Sequence, residues 1–192
     1  MKMLFIPAAQ ESPLWWILLK IFLQTIVFWT LFLLVIPGGL MWLESMLSWD
    51  RFHVSGQRMW GILFFVLGGS LGLTSGTMMG IYGRGTPLPF DTARHLMIVG
   101  PYRFVRNPMA IAGLTQGAAV WLFFGSWLIL AYIIVGFFLW NYYVRPIEEQ
   151  DLLQRFEGDY DAYRRTIRCW IPCWRGYLPD KLVTQQLEGN DK

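Results

Sequence analysis

The sequence predicts an all-α integral membrane protein of about four transmembrane helices, built as one membrane domain over its 192 residues. Three observations carry this. The chain is 55% hydrophobic and 17% aromatic, and only 15% of it is charged, against roughly 25% in soluble domains. Three long runs, residues 21–43, 59–82 and 107–144, contain no charged side chain. The net charge of +3 is modest, and the basic residues stand beside those runs. That placement suits membrane lipid head groups as partners and argues against nucleic acid.

Taken in order, the first twenty residues do not read as a cleaved signal, because Pro7 and Gln10-Glu11 interrupt the apolar stretch after Met1-Lys2. Runs 21–43 and 59–82 each match the roughly 20 residues needed to cross a hydrocarbon core. The loop between them, residues 44–58, carries Trp49, Phe52 and His53 and is expected to lie outward along the interface. Gly68, Gly72, Gly76 and Gly80 recur every four residues, on one helix stripe, and Gly113 and Gly117 repeat the interval. Small residues at that spacing let helices approach closely in lipid. A packing seam between the second and third crossings is therefore expected. Gly80, with Gly83 and Gly85, falls at the end of that stripe, where a ligand can approach the backbone.

Run 107–144 is too long for one crossing, since a single helix would reach well over ~50 Å at about 1.5 Å per residue. It is expected to double back near Phe124-Gly125-Ser126-Trp127 as two short crossings. The arginines support the hairpin. Residues 83–108 carry Arg84, Arg94, Arg103 and Arg106 against Asp91, and Arg145, Arg155, Arg164, Arg165, Arg168 and Arg175 follow the run. Both groups share a side only if the run crosses twice, and basic segments favour the cytoplasm. Both termini are then cytoplasmic, with a bacterial inner membrane the expected location. Residues 1–82 form a two-helix N-terminal part, 83–175 a core, and 176–192 a loose polar tail.

The spans hold almost no ionisable group, which argues against ion-coupled transport. Polar function is expected at the cytoplasmic end. Each polar element there also has a local explanation. Residues 83–87 suit a helix-ending loop. Asn107-Pro108 suits an N-cap with proline at the first helical position. Glu148 and Glu149 after Pro146 suit a first helical turn facing the positive dipole end. Arg164, Arg165 and Arg168 suit lipid head groups. Cys169 and Cys173 lack a second ligand pair, so no metal is expected, and a reducing compartment leaves them as thiols.

In combination, Gly100-Pro101-Tyr102-Arg103-Phe104-Val105-Arg106-Asn107-Pro108, the apolar hairpin, Glu148-Glu149 and Phe156-x3-Tyr160-x2-Tyr163 resemble the isoprenylcysteine carboxyl methyltransferase and phospholipid methyltransferase family. The resemblance covers roughly residues 80–172. It implies an integral membrane enzyme using S-adenosylmethionine (SAM). Its pocket would be formed at the cytoplasmic face by the connector between the second and third crossings and the Glu-bearing C-terminal helix. By resemblance, Gly83 and Gly85 match a Gly-x-Gly cofactor element, and Glu148 and Glu149 match the paired glutamates. Arg106 and Pro108 match an Arg-His-Pro motif in which Asn107 replaces His. Ala110 stands where a Tyr is usual, and Glu157 where a Gly follows the Phe. The implied cofactor contacts are Gly83, Gly85, Gly100, Pro101, Tyr102, Arg103, Pro108, Glu148 and Glu149, with Arg106, Asn107 and Glu148 at the reaction.

The residue chemistry is compatible. SAM carries an ammonium, a carboxylate, a ribose diol and a sulfonium, which carboxylates and arginines suit. Methyl transfer needs alignment and desolvation more than a dedicated acid or base. His95 is a base only if the acceptor is an amine or thiol. The acceptor is read as lipophilic: an isoprenylcysteine-type carboxylate, an amine, a thiol or a phospholipid. Two other readings compete. An NADPH-dependent membrane reductase would set Arg84 and Arg103 on a 2′-phosphate, which the two glutamates oppose. A non-enzymatic scaffold would use the glycine stripe to bind another helix.

Overall fold

A computed structural model describes residues 12–87 and 91–178. Those residues form helices and connecting loops, with an isolated bridge between Thr86 and Thr92 and no strand among the described residues. Helix α1 spans Leu14–Met46, α2 spans Gln57–Gly83, α3 spans Pro108–Phe124 and α4 spans Trp127–Thr166. A 3-10 turn at Gly100–Arg103 lies in the connector between α2 and α3. Helices α1, α2 and α4 are long and apolar enough to cross a membrane; α3, with 17 residues, is shorter.

The long run turns where the sequence places the turn. Gly125 takes a left-handed conformation (φ +66°), and Ser126 Oγ accepts from the Ile129 amide to start α4. The second arm differs from the expected short crossing, because α4 continues for 40 residues. Its apolar part, residues 127–144, has the length of a crossing, and a polar part from Arg145 extends beyond it. Pro146 does not end the helix. A π-helical segment at Trp140–Val144 precedes it, just as Thr30–Val35 precedes Pro37 in α1. Proline lacks an N–H and crowds the carbonyl four residues back, and a widened turn relieves both conflicts. Glu148 and Glu149 therefore do not stand at a free helix N-terminus, and the dipole explanation for them fails.

The glycine stripe of α2 does form a seam with α3. A Cβ on Gly61 would lie 2.9 Å from the Phe123 Cβ, and one on Gly68 would lie 3.0 Å from the Ala112 carbonyl oxygen. The two backbones come this close only because the side chains are absent. Toward the other end the stripe changes partner. Gly76 faces Ile21 and Met109, while a Cβ on Gly80 would lie 2.7 Å from Ile21 Cδ1 and 3.1 Å from Leu18. The space beside Gly80 is thus filled by α1.

At the far end of the bundle, buried Glu44 accepts from the Leu128 amide at 2.8 Å and pairs with Arg51 at 3.6 Å. The Phe52 amide donates to the Gly125 carbonyl at 3.0 Å, and its ring packs on Trp121 and Trp127. Phe52 plugs the hairpin turn, while Trp49 remains exposed. At the near end, Lys20 of α1 pairs with Asp91 of the connector at 2.8 Å. Three backbone bonds join the connector to the segment after α4. They run from Arg106 N to Arg168 O (3.0 Å), Cys173 N to Phe104 O (2.7 Å) and Tyr177 N to Arg103 O (2.8 Å). The two arginine-rich stretches thus meet at one end of the bundle. Tyr177 is held within the fold; the remainder of the expected loose tail, 179–192, and residues 1–11 with Lys2 lie outside the described residues.

Helix α4 bends at Glu157, whose backbone is non-helical (φ 41°, ψ −119°). This is the position at which the resemblance expects glycine. The bend turns Tyr160, Tyr163 and Ile167 inward, where they form a buried cluster against Leu96, Leu152 and Phe156 of the connector and helix. A side chain at this dihedral costs of order 1–3 kcal/mol, partly offset by the larger chain entropy of glycine when unfolded. Glu157→Gly should therefore raise stability by about 1 kcal/mol, read as a higher thermal midpoint in detergent. Glu157→Ala, which keeps the Cβ, should leave the midpoint near that of the wild type.

Candidate active site

Between the connector and α4 lies a cavity of about 160 Å³. Its walls come from segments far apart in sequence. Met79, Met109 and Trp140 line the side facing the apolar spans. Tyr102, Arg106 and Asn107 come from the connector and the start of α3. Arg145, Glu148, Glu149, Asp151 and Arg155 come from α4, and Tyr160, Tyr163 and Cys169 complete the floor. The bent α4 thus supplies both a charged wall and an aromatic one.

Arg106 is tied to this wall. Its Nη1 donates to Glu149 Oε1 at 2.8 Å and to the Tyr160 hydroxyl at 3.4 Å. Arg145 Nε lies 3.8 Å from the same Glu149 oxygen. Glu149 therefore sits between two guanidiniums. Its neighbour Glu148 has no hydrogen bond or ion pair with any described residue, although it also faces the cavity. Consecutive helix positions point about 100° apart, so the arginines can reach one acid and not the other. Burial pushes the Glu148 carboxyl up to about 7, and the nearby charges of Glu149 and Asp151 add to the rise.

Arg155 holds the connector against α4. It pairs with Asp151 at 3.1 Å, donates to Thr92 Oγ1 at 2.9 Å, and also donates to the Ala93 carbonyl. The Tyr163 hydroxyl donates to the Tyr102 carbonyl from below. Several buried donors around the cavity still lack acceptors: the Tyr102 hydroxyl, Arg106 Nε, Trp140 Nε1 and Arg145 Nε. Buried polar atoms are normally satisfied. One part of the cavity thus offers donors and another offers an unpaired carboxylate. A ligand bearing both acceptor and donor groups, one of them cationic, complements this arrangement.

Of the residues singled out from the sequence, Tyr102, Arg106, Asn107, Glu148 and Glu149 are brought together on the cavity wall. Gly83, Gly85, Gly100, Pro101, Arg103 and Pro108 are not among its lining residues. A Cβ on Gly83 would fall 2.9 Å from that of Ala93, and one on Gly85 would fall 2.4 Å from the Thr92 carbonyl oxygen. Both glycines let the connector fold back on itself. Gly100 is left-handed (φ +55°) beside Met78, and Pro101 lies in the 3-10 turn. Pro108 opens α3, with Asn107 Oδ1 accepting from the Ala110 amide at 3.1 Å as an N-cap. Arg103 turns away to the Tyr177 carbonyl, at 3.2 Å.

Trp140, Arg145, Asp151, Arg155 and Cys169 also line the cavity, and no sequence motif singles them out as site residues. A signal for most of them was present. Arg145, Asp151 and Arg155 stand at helical spacing from Glu148 and share its face. No comparable signal marked Cys169, which a loop carries in.

The raised Glu148 carboxyl gives a pH signature. The folded protein keeps this proton up to about pH 7, whereas the unfolded chain releases it near 4.5. The resulting stability is complete below 4.5 and is lost as pH rises through about 7. The thermal midpoint of ligand-free wild type should fall more between pH 5 and pH 8 than that of Glu148→Gln. Parallel curves would remove the basis for a protonated carboxyl here.

Comparison with known proteins adds an independent line. No curated protein and no solved structure matches the chain. The family model for phospholipid methyltransferases matches residues 57–158, just over half the chain. That stretch runs from the start of α2 through the connector and α3 to the bend of α4, and so contains the connector wall and the charged wall of the cavity. The chain belongs to the phospholipid methyltransferase family.

Proposed function

We propose that the protein transfers a methyl group from SAM to a lipophilic acceptor at the cytoplasmic face of the membrane. The observation that carries this reading is the pairing, in one cavity, of an unpartnered Glu148 carboxylate with unpartnered buried donors. SAM fits such a set, because its amino-acid end is a zwitterion and its ribose adds a diol. Glu148 would take the ammonium or the diol. Arg145, Arg106 Nε, Tyr102 and Trp140 offer donors to the carboxylate and the adenine. When bound, SAM supplies a methyl group activated by the adjacent sulfonium.

The chain's own work is to hold, orient and dry that group. Glu149 fixes the two arginines. Asn107 spends its oxygen on the N-cap and keeps its amide nitrogen to donate. Gly83, Gly85, Gly100, Pro101, Arg103 and Pro108 would act on the cofactor indirectly, by shaping the connector. Met79, Met109 and Trp140 form the side of the cavity facing the spans, which suits an acceptor arriving from lipid: a phospholipid, an isoprenylcysteine-type carboxylate, a thiol or an amine.

In this reading α1, α2, α3 and the apolar part of α4 make four crossings, and both termini face the cytoplasm of a bacterial inner membrane. Helix α3 would reach about 25 Å, at about 1.5 Å per residue, against a core of about 30 Å, so tilt cannot help it and local thinning must. The reductase alternative loses the two arginines that it would set on a 2′-phosphate, since Arg84 and Arg103 are not among the cavity-lining residues. The scaffold alternative loses its docking stripe, which α1 and α3 already occupy.

The test is incubation of the purified protein with methyl-labelled SAM and lipid extract, followed by mass spectrometry of the products. A labelled lipid product is expected. Glu148→Ala should weaken SAM binding by about ten- to a hundredfold, the equivalent of one lost charge-assisted contact, as measured by titration calorimetry. NADPH should give no thermal stabilisation.

A further inference from the structure

The segment that follows α4 shows a surface that the cavity does not explain. Trp170 lies against the membrane-crossing part of α4: its ring centroid is 5.3 Å from that of Phe137, and its Nε1 donates to Asn141 Oδ1 at 2.9 Å. The chain is therefore pinned at the level where the apolar part of α4 ends. Immediately beyond, Ile171 is 59% exposed and Trp174 is fully exposed. Arg168 and Arg175, on either side, are exposed too and have no ion pair among the described residues. Arg164 and Arg165 differ, since both pair with Asp161.

Two bare apolar side chains between two uncompensated cations, at the end of a membrane span, match one environment in particular. Tryptophan favours the boundary between head groups and hydrocarbon. Arginines beside that boundary attract anionic lipid. Backbone bonds from Arg106 to Arg168 and from Cys173 to Phe104 hold the segment rigidly to the bundle, so the side chains are presented at a fixed height.

We propose that residues 168–175 form a membrane-interface anchor for an anionic leaflet, with Ile171 and Trp174 entering the head-group boundary and Arg168 and Arg175 meeting lipid phosphates. The anchor rests on the apolar part of α4 spanning the bilayer, and not on methyl transfer. Failure of SAM to bind would leave it untouched.

The test places a nitroxide at position 174 of the full chain (Trp174→Cys, with Cys169→Ser and Cys173→Ser) in bilayers of phosphatidylcholine with or without phosphatidylglycerol. Collision with oxygen and with a water-soluble nickel chelate is read by power-saturation spectroscopy, with a label at exposed Asp159→Cys as the aqueous reference. The oxygen-to-nickel ratio at 174 should be several-fold higher than at 159 and should rise further with phosphatidylglycerol. Arg168→Gln with Arg175→Gln should abolish that rise. A ratio equal to the reference would overturn the proposal, as would a label closed to both reagents, which would mean protein covers the site. If the cysteine variants do not fold, quenching by brominated lipid, compared between wild type and Trp174→Phe, gives the same readout. A fluorescence difference that bromolipid does not quench would overturn it equally.

Discussion

Arg106 is fastened from two directions, and the site depends on that. Its guanidinium meets Glu149 and Tyr160 of α4, and its amide donates to the Arg168 carbonyl. The pair with Glu149 is largely shielded from water, with 14% and 19% of the two side chains exposed. Such pairs add little net stability, but losing one partner strands the other charge. The arrangement therefore acts mainly on geometry. It fixes the connector to the polar extension of α4, and a cavity remains between them.

That constraint requires α4 to continue as one rod past the end of its apolar part. A helix ending at Pro146 would leave the orientation of the glutamates to a flexible junction. The π segment ahead of Pro146 keeps the rod continuous and so carries Arg145, Glu148 and Glu149 to the level of the connector. The bend at Glu157 then returns the chain beneath Tyr102. Between them, a widened turn and a bend decide where the charged and the aromatic walls of the cavity stand. The distance between α2 and α3 is set by a simpler device, the absence of side chains at Gly61 and Gly68.

The paired glutamates illustrate how identical residues acquire different states. Glu149 is paired with Arg106 and lies beside Arg145, whereas burial, with the nearby charges of Glu149 and Asp151, pushes the Glu148 carboxyl up to about 7. Environment, not residue type, separates a structural acid from one available to a ligand. The membrane family and the chemistry of the cavity converge on this same helix, which the family match includes almost up to its last two turns.

By itself the sequence determined the class, the hairpin turn at 124–127, the α2–α3 seam and the gathering of Arg106, Asn107, Glu148 and Glu149. Long uncharged runs, four-residue glycine spacing and charge placement are local quantities, and they survive folding unchanged. Tertiary structure alone decided that Gly83 and Gly85 serve the connector's own fold, that Arg103 turns toward Tyr177, that Phe52 seals the hairpin, and that Trp140 and Cys169 join the cavity. Each of those outcomes depends on which segment arrives opposite a residue, and a contact between positions scores of residues apart leaves no periodic trace along the chain.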